Sequence, residues 1–443
     1  MGKNTDFEKL KKISEILIVN VHSAQNAGDF ALLIQTIYYL KNAFGNKIII
    51  NVLANWPNEQ LIKDVSDNVI GSPWWVIKVW DKNKKPRYQI LSLICGAFYA
   101  ILYKFFPGKL TKKMIPKKWE KIFTNYKKSD LIVAVSGNQL FSSGKYAWPL
   151  PAVGFPIWLA SQFNKKTIVF PQSIGPLNTM IERKIVKHLY ANYIKKLYVR
   201  DMESHRLIEI LKIKKSKPSF MHDVAFTLPP QNTSTALKIL EFNGFVADHN
   251  NIGITILSKM PSYLSQNLMS NYYKSMSDAI VHFSKKLNFH IYLFCQVYGP
   301  TPDENDFMGI ERVIDYIGDQ MNNRIHYINR KLQPSELKAC YGMMDLFVAS
   351  RLHSGIFSLA MFVPTLFIGY LHKTIGVLEA IHLDNYHIDL KDVNKDNLLK
   401  KTIDMWDHRF TLSKTIQNEI AKVEEQLFEF PREIREVVLS DDH

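Results

Sequence analysis

The hydrophobic and polar positions of this 443-residue chain alternate between short apolar runs and stretches with the spacing of a helix. Residues 16–21 and 47–53 predict strands, and residues 30–44 between them predict a helix that ends at Gly45. The strand segments are continuously apolar, which is typical of a parallel sheet covered by helices on both faces. The beginning of the chain therefore predicts a βαβ unit.

The same alternation continues and divides the chain into two series of elements. In the first series, further strands are predicted at 131–135, 167–170, 197–199 and 224–226, with helices at 156–163 and 181–194. Pro, Gln, Asn, Thr and Ser follow Leu228 in a cluster that predicts a linker. In the second series, strands are predicted at 252–257, 290–294, 325–328, 346–349 and 365–368.

Two such series predict an α/β fold with two doubly wound, Rossmann-like domains that face each other across a cleft. We expect an N-terminal domain over residues 1–228, a C-terminal domain over residues 236–410 and a helical tail over residues 411–443. The tail has the apolar spacing of an amphipathic helix at 411–427, which Pro431 is expected to interrupt.

The net charge of +15 at pH 7 is concentrated in an insertion of the N-terminal domain at about residues 81–128. This segment has thirteen Lys or Arg and two acidic residues, and it surrounds an uncharged apolar run of sixteen residues, 88–103. That run is shorter than the roughly 20 residues of a helix that crosses a bilayer. Apolar surface bordered by Lys is typical of an element that lies on an anionic membrane, so residues 82–121 are expected to contact one. The alternative is a buried helix beside a solvated Lys-rich loop.

Other features of the chain bear on its partners and compartment. The basic residues flank an apolar block and form no base-reading motif, so nucleic acid is not expected as a partner. The three cysteines are far apart and odd in number, and the histidines form no cluster, so neither disulfides nor a metal site is predicted. The N-terminal residues predict no signal peptide and no lipid anchor. We therefore expect a cytoplasmic protein, while its oligomeric state is left open.

Turns that follow the predicted strands contain the candidate site residues, because ligands of doubly wound sheets bind beyond the carboxyl ends of the strands. The first turn contains Asn26, Gly28 and Asp29. Glycine admits a ligand close to the backbone, a helix N-terminus favours anions, and a carboxylate can accept a hydroxyl hydrogen. Asp29 could equally serve as the cap of the helix.

Two further turns contain Gly137 with Asn138, and Gln172. Both are polar and suited to contact with a sugar or a phosphate. Glycine and proline after a strand are also common in loops without a ligand.

The fourth turn, Ser350-Arg351-Leu352-His353, follows the predicted strand 346–349 and begins a helix. Arg351 can hold a carboxylate or phosphate through two hydrogen bonds, and the helix N-terminus adds backbone donors. A histidine can donate a proton near neutral pH. An Arg or a His at such a position can also be structural, either in an ion pair with a carboxylate or at the capped end of a helix.

Arg200 and Lys373 follow two other predicted strands and add cations at the same edge of the fold. Together with Arg351 and His353, they predict a cleft that binds a small, multiply charged anion. The residues alone do not identify that anion.

These motifs, in this order, resemble the polysaccharide pyruvyl transferase family, whose fold is similar to that of the GT-B glycosyltransferases. The resemblance covers about residues 16–383, and the matching segments are 26–29, 130–138, 172–176, 199–204, 222–226 and 345–376. The chain departs from the family pattern at Asn138, where a second glycine is common, and at Val224, where proline is common. The insertion is a third departure and implies a specialised acceptor.

The resemblance implies an enzyme of bacterial surface polysaccharide biosynthesis, such as exopolysaccharide or capsule, that transfers pyruvyl from phosphoenolpyruvate to a glycan as a cyclic ketal. Phosphoenolpyruvate is a co-substrate, and no other cofactor is implied. The implied donor site consists of Arg200, Ser350, Arg351, Leu352, His353 and Lys373, with the two arginines on the carboxylate and phosphate and His353 as general acid or phosphate partner. Asp29 is the candidate base, and the candidate acceptor contacts are Asn26, Gly28, Asp29, Gly137, Asn138 and Gln172.

Two other functions remain open at this point. One is a nucleotide-sugar glycosyltransferase of the same fold, which would bind a diphosphate at the cationic turn. The other is a non-catalytic, membrane-associated scaffold for glycan assembly. If residues 82–121 contact the inner face of the cell membrane, the natural acceptor is a lipid-linked glycan.

Overall fold

Two parallel sheets follow each other along the chain in the computed structural model, which describes residues 13–77, 86–106, 108–142, 149–213, 218–258, 266–369 and 372–440. The strands of the first sheet are β1 (Glu15–Val21), β2 (Ile49–Ala54), β3 (Asn68–Gly71), β4 (Leu131–Ala134), β5 (Gly137–Leu140), β6 (Lys166–Ile174), β7 (Lys196–Val199) and β8 (Ser219–Phe220). The strands of the second are β9 (Asn251–Thr255), β10 (His290–Phe294), β11 (Ile325–Tyr327), β12 (Leu346–Ala349), β13 (Thr365–Gly369) and β14 (His387–Asp389).

Helices cover both faces of each sheet. Those of the first part of the chain are α1 (Ala27–Phe44), α2 (Gln60–Val65), α3 (Pro73–Ile77), α4 (Pro86–Phe105), α5 (Lys109–Met114), α6 (Lys117–Lys128), α7 (Leu150–Gln162), α8 (Met180–Tyr193) and α9 (Met202–Ile210). Those of the remainder are α10 (Thr233–Glu241), α11 (Gln266–Lys286), α12 (Asp306–Ile317), α13 (Pro334–Tyr341), α14 (Leu352–Leu359), α15 (His372–Glu379), α16 (Lys395–Asp407) and α17 (Arg409–Leu439).

The strand order shows where each sheet can bind a ligand. The first sheet has the order β3-β2-β1-β4-β6-β7-β8, with β5 paired to β6, and the second has the order β11-β10-β9-β12-β13-β14. In both, the order reverses beside the first strand, between β1 and β4 and between β9 and β12. Doubly wound sheets bind ligands in the crevice that opens at this reversal. The predicted fold class, two Rossmann-like α/β domains with a helical C-terminus, is confirmed.

Several local predictions are wrong, and packing or capping explains each of them. Residues 224–226 belong to the 3-10 helix Val224–Thr227 because the Asp223 side chain accepts a hydrogen bond from the backbone of Ala225. The predicted turn at 171–176 is strand as far as Ile174, and it is buried there.

Three helix boundaries also differ from the prediction. Helix α1 begins at Ala27 rather than residue 30, and α7 begins at Leu150, so that Pro156 lies inside it. Helix α17 continues through Pro431. An interior proline costs a helix about 3 kcal/mol, but Phe430 and Ile434 on either side are fully buried and hold the chain in place.

Contacts between the two halves of the chain close the cleft at several points. The Lys338 ammonium on α13 donates hydrogen bonds to the carbonyls of Phe226 and Leu228, at 2.8 and 2.7 Å. The first turn of the N-terminal half also pairs with the segment after β10, through an antiparallel bridge between Asn26 and Val297. The cleft residues of the two sheets are therefore held at fixed positions relative to one another.

The basic insertion contains helices α4, α5 and α6. Helix α4 is 20 residues long, so it extends beyond the sixteen-residue apolar run and is not too short to cross a bilayer. By length and composition alone, the window Tyr88–Phe105 could span a membrane, with a mean hydropathy of 1.3 and 28% of it buried. The buried part packs on α6 and α7. Residues 81–85 of the insertion lie outside the described part of the chain.

Candidate active site

A cavity of about 270 Å³ lies where the carboxyl ends of the two sheets face each other. Its lining includes Asn26, Asp29, Asn138, Phe141 and Arg200 from the first sheet and Gln296, Val297, Ser350, Arg351, Leu352, His353, Phe367, Ile368, Gly369, Lys373 and Thr374 from the second. Every predicted donor-site residue is in this set. We call this space the cationic cavity because Arg200, Arg351 and Lys373 all lie on its wall.

Asp223 contacts both Arg200, from its own half of the chain, and His353, from the other half. Arg200 is 1% exposed, and its Nη1 donates to Asp223 Oδ2 over 2.5 Å, while its Nε donates to the Ser173 hydroxyl over 3.0 Å. The same carboxylate oxygen is 3.7 Å from His353 Nε2. Burial alone would raise the pKa of Asp223, but the charge of Arg200 and, after it, the nearby His353 lower that pKa below its usual value. Asp223 is therefore a buried carboxylate that orients both side chains.

The position of His353 depends on Gly28. Asn26 caps α1, since its Oδ1 accepts from the backbone amides of Gly28 and Asp29. Gly28 is buried, and a Cβ at that position would overlap with the imidazole of His353. Gly28 was expected to contact the acceptor, but it instead makes room for His353. His353 Nε2 is buried and makes no hydrogen bond to the described residues, and its nearest carboxylate oxygen is that of Asp223.

Arg351 forms the structural ion pair that the sequence left open as an alternative. Its Nε and Nη2 both bond to the carboxylate of Asp306, which is fully buried in the first turn of α12. Its Nη2 is also 3.4 Å from the Ser258 hydroxyl. The guanidinium is nevertheless part of the cavity wall. The ion pair thus fixes a cation at the edge of the site.

Lys373 lies in the first turn of α15 and is partly buried. Burial lowers the pKa of its ammonium to about 8, and the nearby charges of Arg200 and Arg351 act in the same direction, against Asp29 and Asp201. No carboxylate in the described part of the chain lies within ion-pair distance of it. Residues 370 and 371, shortly before it in the chain, lie outside that part.

Gln296 was not predicted from the sequence. It is 1% exposed, its Oε1 accepts from the Tyr341 hydroxyl over 2.7 Å, and its Nε2 has no partner among the residues described. An unpaired buried amide is costly unless a ligand uses it. Gln296 is the second residue after β10, so the rule that located the four turns could also have found it.

A second cavity of about 340 Å³ continues from the cationic cavity and shares Asp29, Asn138 and Phe141 with it. We call it the aromatic cavity because Trp74 lies on its wall. Its remaining lining is Asn20, Val21, His22, Asn55, Val135, Ser136, Gly137, Gln139 and Val153. The carbonyl oxygen of the Asn138 side chain is buried here without a partner in the described structure.

Asp29 lies where the two cavities meet, and Asn26 rather than Asp29 is the helix cap. Its carboxylate can therefore face molecules in both cavities. Gln172, expected to contact the acceptor, lies on neither wall. It is fully buried, donates to the Val135 carbonyl and accepts from the Gln139 amide, and so holds the turn after β4.

Comparisons with known proteins agree on the family and the fold. The sequence model of the polysaccharide pyruvyl transferase family matches residues 26–372, which include most of the lining of both cavities. The amylovoran biosynthesis protein AmsJ of Erwinia amylovora is 19% identical over 417 residues, or 93% of this chain and 96% of that protein.

Two solved structures share the fold over nearly their full length. The Anabaena protein HepE in complex with UDP-glucose has a TM-score of 0.58 at 11% identity and covers 96% of this chain and 99% of its own. UDP-GlcNAc 2-epimerase from Neisseria meningitidis bound to UDP-GlcNAc has a TM-score of 0.53 at 11% identity and covers 94% and 100%. At these identities the likeness concerns the fold alone.

Proposed function

The chain belongs to the polysaccharide pyruvyl transferase family, and we propose that it transfers the pyruvyl group of phosphoenolpyruvate to two hydroxyls of a glycan, forming a cyclic ketal. As a member of that family it is a transferase of polysaccharide biosynthesis. Its likeness to AmsJ supports a role in an exopolysaccharide pathway. The proposal concerns the donor, the bond formed and the acceptor.

The observation that carries the proposal is the composition of the cationic cavity. Arg200, Arg351 and Lys373 surround a compact space that His353 also lines, together with Gln296 and its unpaired amide nitrogen. Phosphoenolpyruvate has a carboxylate and a phosphate on the same carbon skeleton, so it needs several cations close together. Fixed cations can neutralise this donor, and the proposal therefore includes no metal or further cofactor.

The reaction proceeds in two additions to the same carbon. A proton adds to C3 of phosphoenolpyruvate, positive charge develops at C2, and the oxygen of one glycan hydroxyl bonds to C2 as it loses its proton. The oxygen of a second hydroxyl then bonds to C2 while the bond from C2 to the phosphate oxygen breaks. Inorganic phosphate leaves with the second proton, and the carboxylate remains in the product.

The residues have separate roles in these steps. His353 is the general acid toward C3 or the leaving phosphate, and Asp223 lies against its imidazole and holds it in place. Asp29 is the base toward the acceptor hydroxyl, because it lies between the two cavities. Asp223 and Gly28 are positioning residues, since they act through His353.

The aromatic cavity is the acceptor side of this proposal. Trp74 offers an apolar ring face to a sugar, and Asn138 offers an unpaired acceptor to a hydroxyl. We propose that this sugar belongs to a lipid-linked glycan at the cytoplasmic face of the membrane. The exposed apolar helix α4 supports that location.

Thermal unfolding with candidate donors tests the choice of donor. A ligand that binds the folded state stabilises it by about 2.7 kcal/mol at one hundred times its Kd. We expect phosphoenolpyruvate to raise the Tm of the wild type and to raise that of Lys373→Ala less. A nucleotide-sugar glycosyltransferase would give the opposite result, with stabilisation by UDP-glucose and none by phosphoenolpyruvate.

A further inference from the structure

Helix α4 presents a continuous apolar face to solvent. Tyr88, Leu91, Ile94, Phe98 and Phe105 are between 53% and 64% exposed. They recur every three, four or seven positions, so they share one side of the helix. Single exposed apolar residues are common on protein surfaces, but a contiguous stripe of them indicates an interaction site.

The opposite face of α4 is fixed to the rest of the protein. Leu93, Ala100 and Tyr103 are buried, and a Cβ on Gly96 would overlap with the ring of Trp119 on α6. A helix that crossed the bilayer would have to give up these contacts and expose the buried ring. The structure therefore favours a helix that lies along a membrane surface rather than one that spans it.

Exposed lysines lie at the end of α4 and on α5 and α6, the two helices that contact it on the C-terminal side of the insertion. Lys104 at the end of α4 and Lys113, Lys117, Lys118 and Lys121 on α5 and α6 are exposed. None of them has an ion pair with a carboxylate in the described structure. Exposed lysines on helices that adjoin a helix with an apolar stripe suit an anionic bilayer surface, in which phosphate groups lie above hydrocarbon.

We propose that the face formed by α4 and the lysines of α5 and α6 binds an anionic lipid bilayer, with the apolar stripe in the interface and the lysines on the headgroups. The binding itself does not require the chemistry proposed above. The consequence of binding for the acceptor cavity does rest on that proposed function. Helix α4 packs on α3 and α7, which supply Trp74 and Val153 to the aromatic cavity, so docking brings the proposed acceptor cavity close to the membrane.

Cys95 offers a probe within the stripe itself. It is exposed on α4, whereas the other two cysteines of the chain, Cys295 and Cys340, are buried. A polarity-sensitive fluorophore attached to Cys95 in the purified full chain should shift to shorter wavelength and brighten with vesicles of phosphatidylcholine and phosphatidylglycerol at low salt. The shift should be lost at high salt, because salt screens the attraction between the lysines and the headgroups. It should also be absent with phosphatidylcholine alone, which lacks the anionic headgroup.

Vesicle flotation of unlabelled protein supplies the matched variants. Lys113→Glu with Lys117→Glu should weaken binding to anionic vesicles by at least about tenfold, since each basic residue near such a surface contributes measurably. Phe98→Ser with Phe105→Ser should weaken it similarly through loss of apolar contact. The control is Phe428→Ser with Lys414→Glu, on the exposed side of α17. That control should bind like the wild type.

Several results would overturn the proposal. They are failure of the wild type to float with anionic vesicles at low salt, equal binding by the charge-reversed variant, or flotation without a change at the Cys95 fluorophore. Dimers that dissociate in Phe98→Ser with Phe105→Ser would assign the stripe to a second copy of the chain instead. Flotation needs no turnover, so it separates a failure of docking from a failure of the proposed chemistry.

Discussion

The imidazole of His353 lies directly against the backbone of Gly28, so that a Cβ on Gly28 would overlap with the Nδ1, Cγ and Cβ atoms of the histidine. Gly28 lies in the first turn of α1, which follows β1 of one sheet, and His353 lies in the first turn of α14, which follows β12 of the other. The contact therefore crosses the cleft. Since Asp223 also contacts His353 from the first half, both halves of the chain set the position of the imidazole.

Gly28→Ala should lower kcat by about a hundredfold, because displacement of a catalytic group by about 1 Å can cost that much. The fold should survive, since alanine is favourable in a helix. Steady-state kinetics and thermal unfolding measure both effects. In the control Gly108→Ala the new Cβ meets nothing within 4 Å, and activity should stay unchanged. Full activity of Gly28→Ala would show that the contact has no catalytic importance.

Gln296→Glu should raise the KM for phosphoenolpyruvate more than about tenfold, since a hydrogen bond to a charged group contributes about 1.5–3 kcal/mol. The substitution keeps the oxygen that accepts from Tyr341 but replaces the unpaired amide nitrogen by an anionic oxygen. Donor titrations at saturating acceptor measure the effect. Gln231→Glu is the control, because that residue is exposed and lies on the wall of neither cavity. An unchanged KM for Gln296→Glu would remove Gln296 from the donor site.

The kcat/KM for phosphoenolpyruvate should fall as pH rises above about 8, because burial lowers the pKa of Lys373 to about 8 and a neutral amine no longer attracts the donor. Because the pKa of Lys373 is lower than the ordinary lysine value of about 10.4, the ammonium loses its proton, and kcat/KM falls, at a lower pH than for an ordinary lysine. The pH profile of kcat/KM reports groups of the free enzyme. In Lys373→Arg the guanidinium stays charged, so the fall should disappear. Persistence of the fall in that variant would assign it to another group.

Trp74→Ala should raise the KM for the glycan acceptor about tenfold while it leaves the KM for phosphoenolpyruvate unchanged, because the ring lies on the aromatic cavity alone. Initial rates with each substrate varied in turn measure the two constants. The neighbouring Trp75 is a matched control, since its ring packs on Gly71 and Lys118 instead. Trp75→Ala should affect stability more than acceptor KM. A donor effect of Trp74→Ala would contradict the division into two cavities.

Much of the fold could be predicted from the sequence because continuous apolar runs mark buried parallel strands directly. Strands β10 and β12 have the predicted bounds, and the turn after β12 lies on the cationic cavity. The errors arise where tertiary contacts override a local signal. Pro431 stays helical because Phe430 packs on Tyr39, Phe170 and Tyr198 of the first half.

The site was only partly predictable for a related reason. Position after a strand located Arg200, Arg351, His353 and Lys373, since that rule depends on order along the chain. Which polar atoms remain unpaired depends on the packed structure. Both side-chain polar atoms of Gln172 are hydrogen-bonded to the backbone, whereas the amide nitrogen of Gln296 has no partner among the described residues. The sequence does not distinguish the two glutamines, since each follows a predicted strand.

Product analysis tests the central claim, that phosphoenolpyruvate is the donor, most directly. The purified chain and the variant His353→Ala would be incubated with phosphoenolpyruvate and a panel of lipid-linked and aryl glycosides, followed by mass spectrometry and phosphate assay. We predict that the wild type gives a glycan with one pyruvate ketal and releases one inorganic phosphate for each, while His353→Ala folds but gives almost none. Sugar transfer from UDP-glucose with no ketal from phosphoenolpyruvate, or wild-type product from His353→Ala, would contradict it.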